Sequence, residues 1–159
     1  MRKIFGNTVA ELAEKDPTII VLDGDLGRGM FDGFRAKFPE RYFNLGVCEQ
    51  SMISVAAGLA LEGFTPFVFS ITPFLLERPF EQIKIDVDHQ NVNVKLVGYA
   101  DYSGFGPTHA ELDWKIIGTC FKNIKCFFPE GNEQTGKQAV LDAYNYKGPA
   151  IVSLKKAKQ

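Results

Sequence analysis

Hydrophobic and polar residues alternate along the chain in blocks of helical and strand length. Apolar residues recur at helical spacing up to Ala13, and the apolar run that follows at 18–22 predicts a buried strand. Further strands are predicted at 42–45, 65–70, 92–99, 124–128 and 149–154. Helical segments are predicted at 31–38, 49–61, 73–88, 111–121 and 132–146. This alternation predicts an α/β fold, a doubly wound and mainly parallel sheet of about six strands with helices on both faces.

The loops that follow the predicted strands are the places to look for chemistry. In an open parallel sheet, ligands bind beyond the carboxyl ends of the strands. The loops in those positions read DGDLGRG, GVCEQ, SITPF and ADYSGFGPTH. The first is rich in glycine but lacks the G-x-G-x-x-G spacing that cradles a dinucleotide phosphate.

Composition narrows the class of protein. A length of 159 residues fits a single domain, 1–159, and a formal charge of −1 offers no field that would attract nucleic acid. The sequence shows no signal-peptide core and no membrane-spanning run, so a cytoplasmic location is expected. The cysteines Cys48, Cys120 and Cys126 have no metal-ligand spacing, and their odd number argues against a closed disulfide framework.

The predicted helix 49–61 is unusual for an isolated domain. From Met52 to Leu61 its only polar side chain is Ser54, so the helix needs protein on more than one face. Its own sheet can cover one face. The other face meets either a second chain or the interior of the same domain.

Four segments resemble one family when they are read in order. They are NLGVCEQSMISVAAGLALEG at 44–63, ITPFLLERPFEQIKIDV at 71–87, GPTHAELDW at 106–114, and FFPEGNEQTGKQAV with GPAIVSL at 127–154. They resemble the pyrimidine-binding domain of transketolases, deoxyxylulose-phosphate synthases and related thiamine-diphosphate enzymes. The resemblance covers nearly the whole chain, and the combination is more specific than any one segment.

Glu49 is the central residue of this resemblance. In the family, the matching glutamate hydrogen-bonds a ring nitrogen of the cofactor's aminopyrimidine and thereby activates the cofactor. The resemblance therefore implies a catalytic and cofactor-binding role for Glu49. The alternative is an acid that simply occupies the first turn of a helix, where acids are common.

Further cofactor-binding residues are implied by the same resemblance. Phe74 matches the aromatic residue on which the aminopyrimidine stacks, and Phe80 is a candidate for the adjoining wall. Asp25 and Leu26 match an acid near the cofactor and an aliphatic residue that keeps its two rings bent. The alternatives are core packing for the phenylalanines and an ordinary flexible turn for DGDLGRG.

The resemblance also implies two substrate-binding residues, and a third position departs from the family pattern. His109 matches a catalytic histidine that hydrogen-bonds a sugar-like substrate, and Arg78 resembles an arginine of deoxyxylulose-phosphate synthases suited to an anionic substrate. A structural histidine and a solvated arginine are the alternatives. Phe105 stands where the family usually has an acid four residues before the histidine, which favours a less polar acceptor.

The resemblance also implies a partner. The family binds the cofactor diphosphate through Mg²⁺ with a Gly-Asp-Gly motif and a downstream Asn, in a separate domain that these 159 residues do not contain. A second subunit carrying that domain is expected, in a heterotetramer with two copies of each chain. This chain is expected to hold no metal itself.

The sequence thus predicts the pyrimidine-binding subunit of a split thiamine-diphosphate transferase that moves a two-carbon ketol or acyl unit to or from sugar-like substrates. Three alternatives stay open. They are a component of a 2-keto acid decarboxylase or dehydrogenase, a non-catalytic interaction module that kept the fold, and an unrelated doubly wound nucleotide-binding domain.

Overall fold

The computed structural model describes residues 1–100, 102–110, 112–130 and 132–155. Its strands are β1 (Ile19–Asp23), β2 (Tyr42–Asn44), β3 (Thr65–Ile71), β4 (Lys95–Tyr99), β5 (Lys125–Phe127) and β6 (Ala150–Leu154). They form one parallel sheet in the order β2-β1-β3-β4-β6-β5. The predicted α/β fold with a parallel sheet of six strands is confirmed.

Helices cover both faces of the sheet. They are α1 (Arg2–Ala13), α2 (Asp32–Lys37), α3 (Glu49–Leu61), α4 (Thr72–Leu76), α5 (Phe80–Gln82), a π-helical segment (Ile83–His89), α6 (Trp114–Gly118) and α7 (Glu133–Asn145). Helices α1, α2 and α7 pack on one face, around Phe5, Phe34 and Val140. Helix α3 and the π-helical segment pack on the other, around Met52, Ile53 and Val87. None of the helices within the described residues is long and apolar enough to cross a membrane.

Two predicted helices differ from the sequence pattern, one by an interruption and one by its length. The predicted helix 73–88 is interrupted after Leu76 and resumes at Phe80, because Pro79 has no backbone N–H to continue the hydrogen-bond ladder. The predicted helix 111–121 is helical only at Trp114–Gly118, and Glu111 lies outside the described residues. The predicted strand 92–99 begins at Lys95. Helix α3 has the predicted bounds.

The sheet order creates a crevice beside β1. The chain runs from β1 to β2 on one side and then returns to β3 on the other. In such sheets, the loops diverge at the carboxyl ends of the strands where the order reverses, and ligands bind there. The loops after β1 and β3 and the start of α3 all reach this edge.

Candidate cofactor and substrate site

A cavity of about 260 Å³ opens at this carboxyl edge. Its lining includes Arg2, Leu26, Phe74, Tyr102, Phe105 and His109. Predicted residues from three separate loops therefore share one cavity. A larger groove of about 500 Å³ lies along α2 and Tyr42, but it includes none of the predicted residues and is shaped by surface side chains.

Glu49 begins α3 and is only 2% exposed. Its Oε1 accepts a hydrogen bond from Nη1 of Arg78 at 2.9 Å. The Arg78 side chain is 34% exposed, so a buried acid is neutralised by a cation that reaches it from the surface. Its position at the helix start also places the carboxylate near free backbone N–H groups, whose partial positive charge favours an anion.

Phe74, in α4, connects this ion pair to the cavity. The Cζ atom of Arg78 lies 3.4 Å from the centroid of the Phe74 ring, which is close stacking of a guanidinium on an aromatic face. The His109 ring meets the same phenylalanine edge-on, with centroids 4.8 Å apart. Glu49, Arg78, Phe74 and His109 thus form one continuous row of contacts.

The turn after β1 is held by an acid that the resemblance did not mark. The buried carboxylate of Asp23 accepts hydrogen bonds from the backbone N–H groups of Leu26 and Gly27 and from the Tyr42 hydroxyl. Burial, followed by the bond to Asp23, raises the pKa of Tyr42 well above its usual range. The signal in the sequence was an acid directly at the end of a buried strand, two positions before Asp25.

Asp25 and Leu26 follow in this turn. The Asp25 backbone is in the left-handed region, with φ of 63°, and its carboxylate accepts a hydrogen bond from Nδ2 of Asn44 at 2.8 Å. Leu26 lines the cavity, whereas the exposed Asp25 side chain is not part of the cavity lining and is engaged with Asn44. The two residues are therefore adjacent in sequence but placed differently.

Arg2 is a second residue of the site that was not predicted. Its guanidinium donates a hydrogen bond to the backbone carbonyl of Leu26 and lies 3.5 Å from the Tyr102 hydroxyl. In the sequence, Arg2 looks like the charged end of an amphipathic helix, and no local pattern marks it as part of a site. Only the packing of α1 beside the β1 turn brings it there.

Phe105 and Phe80 are the remaining predicted aromatic residues. Phe105 is 74% exposed at the cavity, with its ring 5.7 Å from that of His109. Phe80 is not part of the cavity lining, and its ring packs 5.4 Å from that of Phe121 on the face covered by α3. Within the part of the chain that the structure describes, no group of three or more His, Cys, Asp or Glu side chains could hold a metal ion.

Comparison with known proteins identifies the family of the chain. The family model described as "Transketolase, pyrimidine binding domain" matches residues 1–159. The chain is 39% identical over 124 residues to a subunit of the apulose-4-phosphate transketolase of Actinobacillus succinogenes, covering 76% of this chain and 40% of that protein. It is 36% identical over 160 residues to a putative transketolase C-terminal section of Methanocaldococcus jannaschii, covering 97% of this chain and 50% of that protein.

Solved structures of transketolases share the fold of this chain. A structure described as a split gene transketolase, inactive beta4 tetramer, superimposes with a TM-score of 0.83 at 30% identity, covering 98% of this chain and 51% of that one. Campylobacter jejuni transketolase shares the fold, with a TM-score of 0.83 at 20% identity, covering 97% of this chain and 25% of that one. The chain spans about half the length, or less, of these relatives. It belongs to the transketolase pyrimidine-binding-domain family.

Proposed function

We propose that this chain is the pyrimidine-binding subunit of a split, thiamine-diphosphate-dependent transferase of the transketolase type, with Glu49 as the residue that activates the cofactor. The observation that carries the proposal is the buried Glu49 carboxylate at the start of α3, which is joined through Arg78 to the Phe74 ring that borders the cavity. The family itself depends on thiamine diphosphate. Two relatives are named as one subunit and as one section of a transketolase, which supports a divided enzyme.

The residues present fit an aminopyrimidine ring. The Phe74 face offers a stacking surface, Leu26 offers an apolar contact, and Glu49 offers a carboxyl group away from bulk water. The buried Ser70 hydroxyl has no hydrogen-bond partner among the described residues and adjoins Gly24 at the end of β1. An unpaired buried hydroxyl at this edge is a group that a polar ligand can hydrogen-bond.

Each residue then has a defined task. Bound thiamine diphosphate would supply the nucleophilic carbon that attacks a carbonyl next to the bond to be broken. Glu49 would hold a proton on its carboxyl group and donate it as a hydrogen bond to the pyrimidine nitrogen, so that the ring acquires the tautomer it needs. Phe74 would fix the ring plane, while Asp25 and Leu26 would shape the turn beneath it. Phe80 would take no direct part, because its ring packs against Phe121.

The substrate would enter from the cavity. His109 would hydrogen-bond a substrate oxygen, and Arg78 would pair with an anionic group once it is free to do so. The two-carbon unit would pass between sugar-like molecules. The Asp23 turn and the stacked aromatic rings would keep the site in shape and exclude water.

A partner would complete the cofactor site. The diphosphate and its Mg²⁺ require oxygen ligands that this chain does not bring together among its described residues. We propose that a second chain with the Gly-Asp-Gly and Asn ligands supplies them, in a heterotetramer of two copies of each chain. We propose that this complex is cytoplasmic.

The test is replacement of Glu49 by Gln in the complex reconstituted with the diphosphate-binding subunit. We expect turnover to fall about 10²–10⁴-fold, the usual contribution of a positioned acid or base. Glu62→Gln, at the exposed end of the same helix, is the matched control and should leave turnover unchanged. Turnover of Glu49→Gln within a factor of about two of the unaltered complex would refute the proposed role of Glu49.

A second candidate function is favoured by Phe105. An exposed aromatic ring replaces the acid that binds sugar hydroxyls in the family, which suits a less polar 2-keto acid. The enzyme would then be a decarboxylase or dehydrogenase component. Product analysis of the reconstituted complex with 2-keto acids and with ketose phosphates separates the two candidates.

A further inference from the structure

The Arg78 guanidinium occupies both surfaces that the proposed function assigns to the cofactor. It donates to Oε1 of Glu49 at 2.9 Å, and its Cζ lies 3.4 Å from the centroid of the Phe74 ring. A distance of 3.4 Å is that of two stacked planar groups in contact. An aromatic ring cannot stack on the covered face of Phe74 while the guanidinium remains there.

The hydrogen bonding of Glu49 also differs between the ion pair and the proposed cofactor complex. In the ion pair, the Glu49 carboxylate accepts a hydrogen bond from a cation. In the proposed role, the same carboxyl group donates a hydrogen bond to a ring nitrogen. The ion pair engages the carboxyl group as an acceptor, whereas the proposed role needs it as a donor, so Arg78 and the cofactor compete for Glu49.

Arg78 is placed where it can leave. It lies between α4 and α5, in the interruption that Pro79 causes, and its side chain is 34% exposed. Its guanidinium contacts the side chains of Glu49 and Phe74 and, among the described residues, makes no hydrogen bond to the backbone. Arg41, by comparison, is also stacked on a phenylalanine but is fixed by hydrogen bonds to the backbone carbonyls of Ala13 and Asp16.

We propose that Arg78 is a self-inhibitory plug. In the cofactor-free chain it neutralises Glu49 and covers Phe74, and cofactor binding displaces it toward the cavity. This inference rests on the proposed function. It also implies that the cofactor binds before the substrate. Arg78 becomes available to an anionic substrate only after the cofactor has replaced Arg78 at Glu49.

The plug lowers the apparent affinity for the cofactor in proportion to its population. If the open arrangement makes up about one tenth of the cofactor-free molecules, the apparent Kd is about tenfold higher than the intrinsic one. Glu49 in the cofactor-free chain also depends on Arg78, because removal of the partner of a buried charge destabilises the fold. The plug therefore has two separable effects, one on affinity and one on stability.

The experiment measures the Kd of thiamine diphosphate with Mg²⁺ by titration calorimetry, in the complex reconstituted with the diphosphate-binding subunit, for the unaltered chain and for Arg78→Gln. We expect about tenfold tighter binding by Arg78→Gln, together with a lower Tm of the cofactor-free chain and a higher KM for an anionic substrate. Arg35→Gln is the control, because Arg35 also lies over an aromatic ring, at 5.2 Å from that of Tyr42, but outside the row of contacts at Glu49. It should change neither Kd nor KM.

The outcomes separate this inference from the function on which it rests. If Arg78→Gln binds the cofactor as well as or more weakly than the unaltered chain, Arg78 is no plug, even when Glu49→Gln abolishes turnover. If no variant and no unaltered complex binds thiamine diphosphate, the proposed function fails. Arg78→Lys, which keeps the charge but loses the planar stack, should give an intermediate Kd and replaces Arg78→Gln if the latter does not fold.

Discussion

Buried charges at the two edges of the sheet are neutralised in different ways. At the amino edge, the Asp88 carboxylate accepts hydrogen bonds of 2.7–3.0 Å from the backbone N–H groups of residues 122–124. Lys95, whose side chain is fully buried, donates to the backbone carbonyls of Tyr146 and Gly148 at 2.6 and 2.7 Å. At the carboxyl edge, Glu49 instead pairs with the partly exposed side chain of Arg78.

The two edges differ in whether the partner of the buried charge can move. A backbone partner is held by the elements on either side of it, so a charge paired with backbone cannot be released without local unfolding. A long side chain can leave its partner by changing rotamers, without any change in the backbone of the elements around it. The amino edge therefore uses buried charge to fix loops, whereas at the carboxyl edge one buried acid is paired with a side chain that can move away. Asp23 follows the amino-edge pattern and holds the turn on which the site is built.

Among single substitutions, the comparison predicts the largest loss of stability at Asp88. Replacement by Ala leaves three backbone N–H groups without their acceptor, each worth about 1 kcal/mol or more, so the free energy of unfolding should fall by about 3 kcal/mol or more. Urea denaturation of the full chain measures this. Asp88→Asn, which keeps one acceptor oxygen, should lose less.

Turnover per folded complex should survive the Asp88 changes. Glu49→Gln should show the opposite result, with little loss of stability and a large loss of turnover. If Asp88→Ala abolished turnover in a complex that is still folded, the claim that buried charge at the amino edge serves only stability would be wrong.

The next effect is expected at Gly27. A Cβ there would lie 2.5 Å from Oδ2 of Asp23 and 2.6 Å from Cδ2 of Phe31, so Gly27→Ala should lower stability by about 1–3 kcal/mol. Because the turn also positions Leu26, cofactor affinity should fall with it. Gly33→Ala, in α2 with open space around its Cβ, should be neutral or slightly stabilising. The measurements are cofactor Kd by calorimetry and stability by denaturation. If Gly27→Ala and Gly33→Ala gave equal values, the turn after β1 would not be tightly packed.

Lys95 predicts a dependence of stability on pH. Burial, reinforced by the charge of Lys147, lowers the pKa of Lys95 to about 7 from its ordinary value of 10.5. Between these values the unfolded chain binds more protons than the folded chain, so stability should rise with pH from about 7 to about 10.5, by up to about 1.4 kcal/mol per pH unit.

Lys95→Met removes this dependence, and Lys3→Met, on the exposed surface of α1, retains it. The measurement is the difference between the unaltered chain and each variant in urea denaturation at several pH values. A constant difference for Lys95→Met across this range would show that Lys95 stays charged in the folded chain.

The smallest effect distinguishes two phenylalanines. Phe74→Leu should weaken cofactor binding by about 1 kcal/mol, or about fivefold in Kd, because it loses a stacking face. Phe80→Leu should leave Kd unchanged and only lower stability through its contact with Phe121. A weaker Kd for Phe80→Leu in the reconstituted complex would restore Phe80 to the cofactor wall.

Long periodic segments were predictable, and their interruptions were less so. The helix that starts at Glu49 has its predicted bounds because its apolar pattern is continuous and its loops are short. The segment 73–88 has equally good periodicity, yet Pro79 breaks it and places Arg78 at the break. That break lets Arg78 reach Glu49, a contact between residues 29 positions apart that no periodicity encodes.

By itself, the sequence determined the alternation of strands and helices, the parallel sheet and the edge at which a ligand would bind, since these follow from local patterns of burial and from the general geometry of such sheets. Only the tertiary structure decided which polar groups meet there. It brought Arg2 to the β1 turn, made Asp23 the acid that holds that turn, and placed Phe80 against Phe121. The physical reason is that a local pattern fixes which face of an element is buried, whereas the partner of a buried charge depends on the packing of elements distant in the chain.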